Sequence, residues 1–478
     1  MTHSPGYRVL DKDLGRIGHA EVAQMHAFRP VWRLGLLVLA LVGGLLVAMA
    51  VSGAAPGVLA IGAGLVVAAW LGMAIGANDV ANSLGPAVGA GAIGLLPGLA
   101  LVALAGVAGA VLAGGAVSAR LAAGIVQLAP VAGDPRAPLV MVAALVAAAI
   151  WITMATGIGL PVSTSHSIVG GIAGAGAVAF GLSAVAWGTL AMIASVWVAT
   201  PVVSGGLAGA LLILLRIKVV KAPDRAAAAL RWLPPLVGLM VGLFSAYVLL
   251  LVNRQLGLSV IVGAAVLPAL AGHLLTRRAV RRELAAHPRK PGIKPLLRPA
   301  LLMAVVILGF AHGANDVGNI AGPLSVILSG QGLSAQIGLV PVLVLVCGGL
   351  AIATGTLLFG RRLVHMVGSG ITRLNAGRAF CVSLATAVTV LAASGMGLPV
   401  STTHVAVGGV FGVGFAREWL DRRPGSRAEA LPADETRRRI LVRRSHVVTI
   451  TAAWLVTLPV TGALGALACM LVLRVAGR

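Results

Sequence analysis

Apolar runs of eighteen residues or more recur along most of this 478-residue chain. Nothing constrains its folding more. A run of that length crosses the hydrocarbon of a bilayer as a helix, so the predicted fold class is an all-α polytopic membrane protein. Composition agrees: 59% of the residues are hydrophobic and only 10% are charged, with a mean hydropathy of +1.01. The 64 glycines suit helices that must approach closely with no hydrophobic force between them. A net charge of +23 would suggest nucleic acid in a soluble protein. Here the basic residues cluster between apolar runs, which predicts cytoplasmic loops beside anionic head groups and no nucleic-acid partner. Cys347, Cys381 and Cys469 share no metal-ligand spacing and make no disulfide framework.

Residues 1–31 carry Arg8, Asp11, Lys12, Asp13, Arg16 and Glu21 without an apolar h-region or small-residue cleavage site. They read as a cytoplasmic tail. Spans are predicted at about residues 32–51, from Gly57 into GANDVANS, where polar residues and Pro86 are expected to interrupt the helix, and at 95–117, 138–160, 167–181 and 184–215. A basic loop, 216–231, leads to a hairpin at 232–252 and 256–275. The basic linker 277–298 holds Pro288, Pro291 and Pro295, which argue against a long helix. Further apolar pieces cover 299–310, 333–359 and 379–398, with a short one ending at Phe415. A basic loop at 417–446 precedes the final span, 447–473.

Of the 13 acidic residues, only Asp79 and Asp316 sit deep in apolar runs. They lie in near-identical segments, GANDVANSLGPAVGAGA at 76–92 and GANDVGNIAGP at 313–323. Gly76/Gly313, Asn78/Asn315, Asp79/Asp316, Asn82/Asn319 and Pro86/Pro323 share an offset of 237 residues. Pro161/Pro399, Ser163/Ser401, Thr164/Thr402 and His166/His404 share an offset of 238, in the polar breaks PVSTSH and PVSTTH. Trp197…Pro201 answers Trp454…Pro459 more faintly. The chain is therefore read as a duplication: a first transmembrane repeat with an extra leading span (32–215), basic loops and a connecting hairpin (216–298), and a second repeat (299–478). In the second copy, Arg361, Arg362, Arg373 and Arg378 precede the PVST break and arginines crowd the loop after it. The matching first-copy loops hold only Arg120 and Arg136, the latter opposed by Asp134. By the positive-inside rule the copies face opposite ways. About twelve transmembrane helices in two inverted repeats, with broken or re-entrant helices, predict a transporter working by alternating access.

The breaks offer complementary chemistry. Asn amides donate to oxyanions and Asn carbonyls accept or ligate cations. The hydroxyls of Ser163, Thr164, Ser401 and Thr402 stand at the start of apolar pieces, where a helix N-terminus favours an anion. An intramembrane carboxylate is costly and marks a functional site. Ionised Asp79 and Asp316 would repel an anion unless protonated or shielded by Na⁺, so anion binding would require the cation. Hydrogen phosphate can also donate to a carboxylate, which favours it over sulfate, the alternative cargo. A single Gly-Ala-Asn-Asp could be only a capped turn; two copies at membrane depth outweigh that. His166 and His404 read first as partners of a broken helix rather than proton carriers. Arg120 reads as a snorkelling loop residue, and Gly170-Gly171 and Gly408-Gly409 as close-packing positions. A channel would show an intramembrane Lys or Arg lining, and an enzyme a nucleophile–base pair or His-Glu-x-x-His. The runs carry neither, beyond the Ser/His of the PVST breaks.

GANDVANSLGPAVG, GANDVGNIAGP, PVSTSH and PVSTTH resemble the paired signatures of the PiT family of inorganic phosphate transporters, over about residues 71–415. The resemblance implies a homodimeric secondary symporter in a bacterial-type inner (plasma) membrane, N-terminus cytoplasmic. It would import inorganic phosphate, or a metal–phosphate complex, with H⁺ or Na⁺ and no other cofactor. It implies substrate and coupling-ion residues at Asn78, Asp79, Asn82, Ser163, Thr164, Asn315, Asp316, Asn319, Ser401 and Thr402; no certain metal site is assigned, and charge balance leaves Asp79 and Asp316 either protonated or holding Na⁺. Ser83, Ser165, His166, Thr403 and His404 are secondary candidates. Position 83 becomes Ile320 in the second copy, which weakens the case for Ser83.

Overall fold

The computed structural model describes residues 33–40, 42–44, 47, 56–127, 134–157, 162–253, 255–287, 292–329, 342–370, 374–421 and 444–476. The tail at 1–31, Pro161 and most of the loop at 417–446 lie outside them. Hydrocarbon supplies no hydrogen-bond partners, so apolar runs close their backbone bonds internally as helices. Among the described residues, after a helical piece at 33–40, fourteen follow in order: α1 Pro56–Gly89, α2 Leu95–Ala113, α3 Gly115–Ala123, α4 Arg136–Gly157, α5 Thr164–Phe180, α6 Trp187–Leu215, α7 Arg225–Val252, α8 Leu258–Ala286, α9 Ile293–Asp316, α10 Gly318–Ser329, α11 Val342–Gly370, α12 Ala376–Gly395, α13 Thr402–Asp421 and α14 Arg444–Val475. Among the described residues ten helices are long and apolar enough to cross a membrane. The pieces after the two PVST breaks, α5 and α13, are not among the ten.

The helix pairs have a consistent exchange symmetry. In the duplication α1 corresponds to α9–α10, α2 to α11, α4 to α12, α5 to α13 and α6 to α14. Helix α1 packs along α11, and α9 along α2. Helix α5 packs along α14, and α13 along α6. Helix α4 meets α1 and α14, and α12 meets α9 and α6. Exchanging the copies turns each pair into its mate, so the repeats interlock instead of sitting side by side. Helices α4 and α12 form the centre: 78% and 72% of their most apolar windows are buried. The hairpin α7–α8, which falls between the copies in sequence, is peripheral, with only 11% of the α8 window buried.

Glycine permits the interlock. A Cβ on Gly76 would overlap the Ile352 carbonyl of α11, and one on Gly313 would overlap Gly106 of α2. The same holds for Gly174 against Gly462 and Gly412 against Gly205. Each of these is one register position used twice. Gly170 and Gly408 likewise press on the backbones of α14 and α6. Small residues let backbones meet where no water drives helices together.

Three local expectations are corrected. GANDVANS does not interrupt its helix: α1 runs for 34 residues through the motif with Pro86 inside, and only Val317 separates α9 from α10. Neighbouring groups in a membrane bundle tolerate the lost N–H of a proline. No single helix spans the linker 277–298, since α8 ends at Ala286 before Pro288 and α9 begins at Ile293 after Pro291, but most of its residues are helical where the sequence predicts a loop. Pro295 stands in the first turn of α9, where the missing N–H costs nothing. Helix α13 passes Phe415 and reaches Asp421.

Candidate functional site

The true breaks are at the PVST segments. Helix α12 stops at Gly395, Gly397 takes φ +69°, and the chain stays non-helical to Ser401. A left-handed φ of this kind is open to glycine at little cost. Irregular backbone at this depth needs partners, and Asn315 supplies them. Its Nδ2 donates to the Val400 carbonyl at 2.7 Å, while the Val400 N–H donates to its Oδ1 at 3.0 Å. Ser165 Oγ donates to the same carbonyl at 3.0 Å, and Trp197 Nε1 donates to the Pro399 carbonyl at 2.8 Å. Ser163 and Ser401 cap the helices that follow, accepting from the His166 and His404 N–H groups at 3.2 and 3.4 Å. The caps occupy one free N–H in each first turn.

Asn315 therefore braces the second break as well as facing its own acid. Replacing it by Ala strands the buried Val400 N–H, a loss of about 1–3 kcal/mol for each unsatisfied group. Asn78 is only half-buried and donates to its neighbour Asp79. Thermal unfolding in detergent is expected to show a clear drop for Asn315→Ala and a smaller one for Asn78→Ala. Equal drops would contradict the brace.

The four motifs converge across the copies. Asn82 Nδ2 of the first copy donates to Thr403 Oγ1 of the second at 2.9 Å. Asn319 Nδ2 of the second donates to Thr164 Oγ1 of the first at 3.5 Å. Each GAND motif is thus completed by the other copy's break. The two sides are unequally open: Asn315 and Asn319 are fully buried, whereas Asn78 and Asn82 are partly exposed.

Asp79 and Asp316, 4% and 2% exposed, line one cavity between α1, α2, α9 and α11. Its volume of about 20 Å³ holds roughly one water. Asn78 Nδ2 donates to Asp79 Oδ1 at 3.3 Å and Asn315 Nδ2 to Asp316 Oδ1 at 2.7 Å. Asp79 Oδ2 is buried without a hydrogen-bond partner. Ser83, the weaker candidate by sequence, lines this cavity together with Thr356 and His312. Ser163, Thr164, Ser165, Ser401, Thr402 and Thr403 do not; they belong to the adjoining breaks. His166 and His404 also lie apart from it. Their rings meet edge to face at 4.7 Å, and His166 lies against Trp197 at 3.7 Å. Sequence reading passed over His312. Its signal is a mismatch between the copies, since the residue 237 positions earlier is Ile75. Among the described residues no group of three or more His, Cys, Asp or Glu is disposed to hold a metal ion.

Interlocked repeats spanning a membrane, with paired acids and amides buried at their junction, define a transporter of small ions. The profile of the phosphate transporter family matches residues 75–465. A Helicobacter pylori (strain J99) protein titled "Putative phosphate permease" is 36% identical over 418 residues, covering 85% of this chain and 78% of its own. "Inorganic phosphate transporter 2-1, chloroplastic" of Arabidopsis thaliana is 32% identical over 423 residues, covering 81% of this chain and 68% of its own. A solved structure titled "The sodium-dependent phosphate transporter" superposes with a TM-score of 0.75 at 31% identity, over 87% of this chain and 99% of that one. The chain belongs to the phosphate transporter family, whose members are transporters and not enzymes.

Proposed function

We propose that this chain is a secondary symporter that imports inorganic phosphate with a driving cation, H⁺ or Na⁺, by alternating access of two inverted repeats. One observation carries the reading: acids from both copies share a single buried cavity beside the cross-copy amide–hydroxyl pairs. Two negative charges and an arriving anion are incompatible in a low-dielectric pocket, so a proton or cation must enter with the anion. The amides and hydroxyls suit the phosphate oxygens, and a P–O–H suits a carboxylate. The unequal openness of Asn78 and Asn315 fits a site exposed to one side at a time. The loop charges support opposed orientations of the copies.

Phosphate uptake into proteoliposomes tests this directly. The expected result is accumulation of labelled phosphate above the outside concentration when an inward proton or sodium gradient is imposed, with little inhibition by sulfate. Uptake that only equilibrates under both gradients would point to a channel. Equal competition by sulfate would point to a broader oxyanion carrier.

A further inference from the structure

The acid cavity has one ionisable lining residue without a counterpart in the other copy. His312 stands one helical turn before Asp316, and Ile75 lines the cavity at the matching register of α1. The imidazole is buried, and its Nδ1 lies 3.2 Å from the Leu308 carbonyl. A carbonyl can only accept, so Nδ1 carries the hydrogen, and in the neutral ring Nε2 keeps a lone pair. That Nε2 is buried without a hydrogen-bond partner.

The other polar groups of the cavity are acceptors too. Ser83 gives its hydroxyl hydrogen to the Val80 carbonyl at 3.2 Å, and Thr356 gives its own to the Gly76 carbonyl at 3.2 Å. What remains is the Asp79 and Asp316 carboxylates and the Nε2 lone pair. A space for about one water, walled by acceptors, selects a small occupant rich in hydrogen-bond donors. Bare Na⁺ would find oxygen ligands in the carboxylates and hydroxyls, but it has no hydrogen for the Nε2 lone pair and, as a hard cation, prefers oxygen to imidazole nitrogen. The charged groups facing the cavity are Asp79 on α1 and Asp316 on α9; α2 and α11 contribute no ionisable lining residue. Among the other helices packed on α9, Arg120 of α3, Tyr247 of α7, His273 of α8 and Cys381 of α12 do not line it.

We propose that His312 is a further coupling residue, whose Nε2 accepts a hydrogen bond from a proton-bearing, water-sized occupant of the acid cavity. The two half-sites are then unequal, because only the second copy carries the acceptor. The proposal rests on the symporter reading and deepens it.

The test uses the full chain in proteoliposomes, with labelled phosphate and an inward proton gradient in the absence of sodium. His312→Ile places the first copy's residue at this register and is expected to lose concentrative uptake. His312→Gln keeps an acceptor oxygen and is expected to recover part of it, with a weaker dependence on outside pH than the wild type. Insertion and monodisperse elution in detergent are checked for each variant. Wild-type uptake by the Ile variant overturns the proposal, as does a Gln variant no better than Ile. If the Ile variant fails to insert, the Gln variant decides alone: a flattened pH profile supports the role and an unchanged one removes it. A wild-type protein that concentrates phosphate only on a sodium gradient refutes the proton but leaves the symporter standing. One that concentrates phosphate on neither gradient refutes the symporter itself.

Discussion

Asp316→Asn abolishes concentrative phosphate uptake while the protein still inserts and elutes as a single species. This is the expected result, and Asp79→Asn gives the same. Asn is isosteric with a neutral carboxylic acid, so the Asn315–Asp316 hydrogen bond at 2.7 Å has an equivalent in the variant. Local packing is preserved; the negative charge is not. Without that charge the anion no longer needs a companion cation, and the linkage between ion gradient and phosphate gradient is cut. Phosphate exchange at equal concentrations therefore remains detectable while accumulation against a gradient disappears. The loss is complete for each single variant, because both acids border the same cavity. Normal accumulation in either variant would remove that residue from coupling.

The second large effect concerns packing. Gly313 lies against the backbone of Gly106 so closely that a Cβ would meet the carbonyl group itself. Backbone cannot swing aside as a long side chain can. Gly313→Val must push α9 off α2, at a cost of about 1–3 kcal/mol or more for overpacking. Asp316 lies three residues further along the same helix and moves with it. The expected outcome is a lowered unfolding temperature in detergent together with lost transport. Gly206→Val is the control: Gly206 is exposed on α6 and has open space around its Cβ position, so its stability should match the wild type. A Gly313→Val protein as stable as that control would show the approach to be looser than described.

Much of this architecture was legible in the sequence because its causes are local. A long apolar run has few foldable states in hydrocarbon, and duplicated motifs announce a duplicated fold without any coordinates. The convergence of Asp79 with Asp316 followed from the same duplication. Other features depend on three-dimensional register and left no local trace. Pro86 looks like a helix breaker, yet α1 passes through it, since neighbouring elements rather than the sequence alone decide whether a lost N–H matters. Among the PVST hydroxyls, Ser165 gives its hydrogen to the Val400 carbonyl, whereas Ser163 and Ser401 accept cap bonds and keep their own hydrogens to donate; which of them is committed could not be read from the motif. Asn315 reads as a ligand and proves also to hold the break together. His312 was visible only to a comparison of the copies that looked for differences.

The bonds from Asn82 to Thr403 and from Asn319 to Thr164 have an evolutionary consequence. Neither copy contains a finished set of partners, since each donor finds its acceptor in the other. A forebear with a single copy could have closed these bonds only by pairing with a second molecule of itself. In one chain the two halves are free to differ, yet a substitution in either motif must still be tolerated by the opposite half.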